Sequence, residues 1–467
     1  MWSLSTDTTG QGYSQPKDIK ILLPPSHFEG SSSLFCFPFF RLSGLLLTFA
    51  PNYHGFMTKY NTTTLSNGLR VIHRHSESPV VYCGIAINAG ARHEAPGEEG
   101  LAHFCEHTTF KGTHRRSAMQ ILNCLESVGG DLNAFTNKED TVFYAAILKE
   151  HLPRAIDLLM DIVFCSEYPA QELEHEKDVI CDEIESYNDS PAELIYDEFD
   201  NLLFKGHPLG HNILGTHERV QTFTSEHARR FTARYYRPDN AAFFVYGDVS
   251  FSQLVKRIET ISKQQTRTVT AAGENVQNAA PANSPLSIIN APLTNHHQAH
   301  VMLGAKAYAF ADERRIPLYL LNNILGGPGM NARLNISLRE RNGLVYTVES
   351  SMVSYSDTGA WSVYFGCDHH DVKRCLRLVH HELDRLMQHP LSDRQLAAAK
   401  RQLKGQLTIA CDNREQFALD FGRNFLHYDQ GRDITDLLAQ IDGISAPQLL
   451  EVAQDIFRPD HLQQLII

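Results

Sequence analysis

The sequence lacks the features that define several specialised classes of protein. Its 9 cysteines are an odd number and form no C-x-x-C pair, so buried free thiols in a reducing compartment are expected rather than a disulfide framework. Its most apolar stretch, residues 34–50, is short of the roughly 20 residues that a membrane helix needs and is broken by Pro38 and Arg41. We therefore expect no stable membrane insertion.

Basic residues are also in deficit. The chain carries 42 Lys and Arg against 54 Asp and Glu, which gives a formal net charge of -12. Binding to nucleic acid requires a basic surface, so that class of function is excluded and a basic partner or substrate is favoured. The overall composition, with 42% hydrophobic and 21% charged residues, is typical of a globular chain of two or three domains.

Residues 1–56 differ from everything that follows. They are rich in Ser, Pro, Gly and Phe and show no helical or strand period up to about residue 34. We predict that translation begins at Met57 and that residues 1–56 are an unstructured or non-native extension. Because residues 42–50 resemble the apolar core of a signal peptide, a periplasmic or organellar location stays open beside the cytoplasmic one that free cysteines favour.

The remaining sequence has the pattern of one unit used twice. Arg237-Pro238-Asp239 closes one helical stretch and Arg458-Pro459-Asp460 closes another 221 residues later, and further segments recur at about the same offset. The prediction is an α+β fold of two similar halves, each a mostly antiparallel sheet packed with helices. The halves are residues 57–263 and 288–467, joined by a linker at 264–287 that is rich in Thr, Ala, Asn and Pro.

The sharpest local motif is H-x-x-E-H, formed by His103, Glu106 and His107. On a helix, residues four apart share a face, so the two imidazoles can bind one metal ion. Two His and one carboxylate with an open position make a catalytic zinc site, and a further Glu can take a proton from the activated water. The alternative is an ordinary amphipathic helix, since the chain holds 24 histidines. A glycine-rich loop before the motif favours the metal site.

A third ligand has to come from elsewhere in the chain. Residues 171–200 contain twelve Asp or Glu and one Lys, a local net charge of -11. A solvated acidic helix accounts for most of these residues. However, Glu176 and Glu183 are seven apart, two turns along one face, and two such carboxylates could point at one cation.

The H-x-x-E-H order reverses the commoner H-E-x-x-H and is the inverzincin signature. With the 76 residues that separate His107 from Glu183, the sequence resembles the pitrilysin-type metallopeptidases, which include mitochondrial processing peptidase and insulin-degrading enzyme. The resemblance runs from about residue 63 to the C-terminus and is nearest to the mitochondrial-processing-peptidase-like and short bacterial members. It includes the motif segment GLAHFCEHTTFKGT and the run GGDLNAFT at 129–136.

The resemblance implies a role for each matching position. One zinc ion per chain is bound by His103, His107 and Glu183, and Glu106 is the general base. Glu176 supports the site by orienting a ligand. An edge strand binds the substrate by main-chain pairing, and its matching residues are Asn133, Ala134, Phe135 and Thr136.

In the second half, Arg339 and Tyr346 match an Arg-Tyr pair that holds substrate in this family and stabilises the tetrahedral intermediate. Taken alone, these two residues have a structural interpretation, as an exposed helix Arg and a strand Tyr.

The second half lacks the metal ligands. Shifting the four motif positions by 220 leads to Asn323, Gly326, Gly327 and Leu403, none of which can replace them. One half is therefore expected to catalyse while the other keeps only the fold. In the family the halves enclose a chamber, so the resemblance implies a homodimer or a heterodimer with a related subunit.

The predicted function is zinc-dependent endopeptidase activity on unfolded or short peptides, including basic ones. The alternative is a non-catalytic peptide-binding or scaffold subunit of a pitrilysin-type heterodimer. Relatives of that kind typically lose the motif, whereas this chain retains every member of it.

Overall fold

The computed structural model describes residues 60–265, 288–290, 297–429, 431 and 434–467. The predicted extension at 1–56 and the predicted linker from residue 266 onward lie outside these residues. No helix among the described residues is long and apolar enough to cross a membrane. The eight cysteines in this part of the chain are free thiols; five of them are buried, as predicted, whereas Cys124, Cys165 and Cys411 are half-buried.

The first half is built on a six-stranded sheet. Its strands stand in the order β1-β2-β6-β3-β5-β4, and all neighbours are antiparallel except the parallel pair β2 and β6. The central strands are almost wholly apolar because both of their faces are covered. The strands are β1 (Asn61–Thr64), β2 (Arg70–Arg74), β3 (Val80–Ile87), β4 (Asp131–Thr136), β5 (Thr141–Leu148) and β6 (Ala241–Tyr246).

Eight helices accompany this sheet in the described residues. Their starts follow from local sequence: Ser117 and Gln120 form a capping box at α2, and Thr216 accepts the backbone N–H of Arg219 at α6. The helices are α1 (Leu101–Thr109), α2 (Ala118–Glu126), α3 (Leu152–Cys165), α4 (Ala170–Asn188), α5 (Pro191–Leu203), α6 (His217–Thr222), α7 (Ser225–Tyr235) and α8 (Phe251–Gln265).

The second half repeats this architecture, which confirms the predicted fold of two similar α+β halves. Its strands are β7 (Ile288–Asn290), β8 (Ala299–Ala307), β9 (Val345–Ser354), β10 (Gly359–Cys367) and β11 (Gln463–Ile466). Their order, β7-β11-β8-β10-β9, reproduces the order β2-β6-β3-β5-β4, including the parallel outer pair. Its helices are α9 (Arg315–Gly326), α10 (Val372–Gln388), α11 (Asp393–Ala410), α12 (Arg414–Tyr428), α13 (Ile434–Gly443) and α14 (Ala446–Ile456), with a π-helix at Asn335–Glu340.

One helix from each half packs against the sheet of the other half. Helix α5 packs on β8 and β11, with Phe199 buried in one apolar cluster with Met302. Helix α12 packs on β3 and β6, with Phe421 buried against Phe244. This exchange gives each sheet a second apolar cover, so the burial that stabilises one half requires the other.

Polar contacts join the loop after β4 to the second half. The Asp140 carboxylate is buried and accepts hydrogen bonds of 3.0 Å from both Nε and Nη2 of Arg423, and one of 2.9 Å from His427. Burial alone would raise the pKa of this carboxyl, but Arg423 and His427 hold it well below its usual value. In the same loop, Glu139 pairs with Arg92 and accepts the backbone N–H of Ser356 at 3.1 Å. The loop, and with it the end of β4, is therefore anchored from two sides.

Candidate metal centre

The helix that carries the H-x-x-E-H motif begins at a constrained position. Gly100 precedes it with a φ of 96°, and a Cβ at this position would lie 2.7 Å from the carbonyl oxygen of Leu214. The Glu94 carboxylate accepts the backbone N–H groups of Gly100 and Ala102 at 3.0 and 2.7 Å, and pairs with His211 at 2.9 Å. These contacts satisfy the free amides at the start of α1 and fix its position.

Three of the predicted residues converge beside α1. His103 and His107 lie one turn apart with ring centroids separated by 4.5 Å. Glu183, from α4, places Oε2 3.7 Å from His103 Nε2 and 3.4 Å from His107 Nε2. One ligand atom from each of the three lies within 4.8 Å of the other two.

These three residues fit a zinc ion. Bonds of about 2.1 Å at a tetrahedral angle separate two ligand atoms by roughly 3.4 Å, which is close to the distances seen here and longer than a hydrogen bond. Burial lowers the pKa of His103 to about 4, so its imidazole is neutral, as a metal ligand must be. His107 is buried too, but its hydrogen bond to Glu176 and the nearby carboxylate of Glu183 raise its pKa to about 10. The carboxylates around His107 thus favour a positive charge at this point, which a cation would supply.

Glu176 contacts the imidazole of His107 on the side away from Glu183. Its Oε1 accepts a hydrogen bond of 2.9 Å from Nδ1 of His107, and its Oε2 pairs with the ammonium of Lys111. Burial would raise the pKa of Glu176, but the bonds from His107 and Lys111 lower it. A carboxylate in this position holds the ring with Nε2 turned toward Glu183. Sequence reasoning missed Lys111, which lies two residues beyond the end of α1 and therefore shares no helix face with His107.

Glu176→Gln is expected to weaken zinc binding by about 10- to 100-fold without unfolding the protein. The amide keeps the shape of the side chain but loses the charge that favours a correctly oriented imidazole. Titration with zinc against a competing chelator measures this affinity. Glu172→Gln, at an exposed position of the same helix, is the matched control and should bind zinc as the wild type does. An unchanged affinity in Glu176→Gln would show that this carboxylate does not support the site.

Glu106 lies beside the cluster without being one of its three converging ligands. Its side chain is buried, and its Oε2 accepts a hydrogen bond of 2.6 Å from Oγ1 of Thr136. Burial raises the pKa of Glu106 to about 7, against the opposing influence of His107 and Thr136. A carboxyl group with a pKa near neutrality is suited to accepting and returning a proton.

The predicted substrate strand is the last strand of its sheet. β4 pairs with β5 on one side, with Asn133 opposite Tyr144 and Phe135 opposite Val142, and no other described strand pairs with it. Asn133 and Ala134 are half-buried, while the Phe135 ring is buried against Tyr144. The strand thus presents its backbone outward, while the ring of Phe135 belongs to the core.

The Arg-Tyr pair of the second half lies together but apart from this cluster. Arg339 is in the π-helix, and its Cζ is 5.8 Å from the ring centroid of Tyr346 on β9. Tyr346 is 82% exposed, which is unusual for a large ring. Within the described part of the chain, neither side chain hydrogen-bonds or ion-pairs with the three converging ligands or with Glu106.

The acidic residues of α4 differ in burial. Glu176 is buried and Glu183 half-buried, whereas the remaining acidic residues of this helix are exposed: Glu172, Glu174, Asp178, Asp182 and Glu185. In the second half the corresponding helices, α9 and α11, carry Asn323, Gly326 and Leu403 at the matching positions. The other group of possible ligands in the described residues, Asp368, His370 and Asp371, is at the surface.

Two imidazoles on α1, a carboxylate from α4 and a further carboxylate beside them that is not one of the three converging ligands define the zinc-hydrolase class of site. The sequence agrees with that class. It matches the family described as Insulinase (Peptidase family M16) over residues 70–217 and the Peptidase M16 inactive domain over residues 222–403. The chain belongs to the peptidase M16 family, which confirms the resemblance to pitrilysin-type peptidases.

Relatives of this chain support the assignment. It is 32% identical over 406 residues to an uncharacterized zinc protease of Streptomyces coelicolor, covering 86% of this chain and 88% of that one. It is 31% identical over 404 residues to an uncharacterized zinc protease of Bacillus subtilis, covering 86% and 97%. A protease from Helicobacter pylori has the same fold, with a TM-score of 0.81 at 21% identity over 88% of this chain and 99% of the other.

Proposed function

We propose that this protein is a zinc-dependent endopeptidase acting on unfolded or short peptides. The observation that carries the proposal is the convergence of His103, His107 and Glu183, with Glu106 beside them and bonded to the end of an open-edged strand. A substrate paired with β4 would lie next to this convergence, because α1 packs against that strand.

Each side chain has a distinct task in this proposal. Bound by the three ligands, zinc would act as a Lewis acid that polarises the scissile carbonyl and acidifies a water molecule. Glu106 accepts the proton of that water and returns it to the leaving amine. Glu176, which is itself paired with Lys111, holds the imidazole of His107. Tyr346 is exposed and Arg339 half-buried, so both side chains are available to hold substrate from a facing surface.

One zinc ion per chain is proposed, since the second half carries no equivalent ligands. We further propose that the chain acts with a second copy or a related chain, which would enclose the substrate. Large apolar side chains on the surface, Met119, Met330 and Ile409, are consistent with such contacts. The free thiols favour the cytoplasm as the compartment.

The decisive experiment uses one purified preparation of the chain. Zinc content by mass spectrometry should approach one per chain, and an internally quenched peptide should be cleaved within its length. A chelator should stop cleavage and added zinc restore it. A zinc-free protein that binds peptide without turnover would instead support the alternative function, a scaffold or peptide-binding subunit. Light scattering on the same fraction gives the number of chains in the assembly.

Peptides that carry Lys or Arg are expected to be cleaved faster than acidic peptides of equal length. Residues 171–200 contribute -11 of the net charge of -12, and the exposed carboxylates of α4 lie on the helix that supplies Glu183. This local field should raise kcat/KM for cationic peptides by roughly tenfold at low ionic strength, and salt should reduce the advantage. A neutral peptide is the control. Equal rates for both charges at low salt would contradict the expectation.

A further inference from the structure

Thr136, the last residue of β4, hydrogen-bonds the carboxylate of Glu106. An ionised carboxylate can only accept, so the Thr136 hydroxyl donates its proton to Glu106 Oε2 over 2.6 Å. Within the described part of the chain, this is the hydrogen bond that the Glu106 side chain makes. The Glu106 residue is only 6% exposed, so solvent contributes little to the position of its carboxylate.

Thr136 is itself held in place. A β-branched side chain has a restricted χ1 angle, and Thr136 faces Thr141 across the sheet with their hydroxyl oxygens 3.5 Å apart. The hydroxyl of Thr141 donates to the carbonyl of Ala89 at 2.9 Å, which fixes that neighbour. Beyond Thr136, the backbone N–H of Asn137 donates to the carbonyl of Asp140 at 2.7 Å. The donor that reaches Glu106 is therefore part of a rigid frame.

We propose that Thr136 is a positioning residue for the general base. Its hydroxyl holds one oxygen of Glu106, so that the other is directed to the reacting water. Because Thr136 also ends the strand on which the substrate is proposed to lie, one residue sets the register between the bound peptide and the base. This inference rests on the proposed function and deepens it. A role of this kind acts on turnover rather than on binding of substrate or zinc.

Thr136→Val tests the proposal, because it keeps the β-branched shape and removes only the donor. We expect kcat to fall by about tenfold, less than in a variant without the base, while KM stays within about twofold. Zinc content and Tm should match the wild type. Thr136→Ser, which restores a hydroxyl, should recover most of the lost kcat. Thr64→Val, in β1 at the opposite edge of the same sheet, is the control and should be unaffected.

Several results would contradict this inference. A wild-type kcat in Thr136→Val, a loss confined to KM, or no recovery in Thr136→Ser would each overturn the inference. Crystal structures add a readout without turnover: the Glu106 carboxylate should adopt several rotamers in Thr136→Val and a single one in Thr136→Ser. If the wild type itself cleaves nothing, the proposed function fails, and the Glu106 rotamers still decide whether Thr136 orients that carboxylate.

Discussion

Glu106→Gln is expected to lose at least a hundredfold in kcat while retaining zinc. Glutamine has nearly the same shape, and its carbonyl oxygen can still accept the hydrogen bond from Thr136. It cannot, however, accept a proton from water, and a positioned general base typically contributes between a hundredfold and ten thousandfold to the rate. The three converging ligands are untouched, so zinc stoichiometry should equal that of the wild type.

Both quantities have to be measured on the same preparation. Cleavage of a quenched peptide gives kcat and KM, and mass spectrometry of the protein gives zinc per chain. Glu172→Gln, on the exposed face of α4, makes the same chemical change away from the cluster and should leave both values intact. Cleavage that survives in zinc-replete Glu106→Gln would refute the assignment of Glu106 as the base.

His103→Ala is expected to lose the metal and the activity together. The substitution removes one of three ligand atoms that lie within 4.8 Å of one another and leaves His107 and Glu183 as the remaining pair. A site with two protein ligands binds zinc far more weakly than one with three. Zinc per chain should fall close to zero after dialysis, and cleavage should fall below detection.

The matched control is His381→Ala, at an exposed position of α10 in the second half. It deletes an imidazole from the surface and should keep both zinc and cleavage. Circular dichroism should show that His103→Ala remains folded, since the buried imidazole is replaced by a smaller apolar side chain. Retention of one zinc per chain by His103→Ala would mean that the metal is bound elsewhere.

Local sequence was sufficient for the parts of the site that depend on helix periodicity. His103 and His107 are four apart, so any helix over this segment brings them together. Glu176 and Glu183 are seven apart, so α4 turns them to one side while its other carboxylates remain in water. Glu183 meets the imidazoles and Glu176 supports one of them, a division of roles that came from the resemblance to a family.

Contacts between segments far apart in the chain could not be predicted from local sequence. Lys111, just beyond the end of α1, pairs with Glu176 of α4, and Thr136 reaches Glu106 from a strand 30 residues away. The exchange of α5 and α12 between the sheets is a further example. An amphipathic pattern indicates that a helix has an apolar face, but it does not specify which of two similar sheets will cover that face.

The sequence by itself determined the repeated α+β unit, the helix that carries the two imidazoles and the absence of ligands from the second half. These features follow from residue identity and from short-range spacing, which the backbone geometry of helices and strands converts directly into shared faces. The tertiary structure alone decided how Glu183 approaches both imidazoles, how Thr136 holds Glu106, and where Arg339 and Tyr346 stand. Those arrangements depend on packing between elements far apart in the chain, and side-chain burial, rather than spacing, selects them.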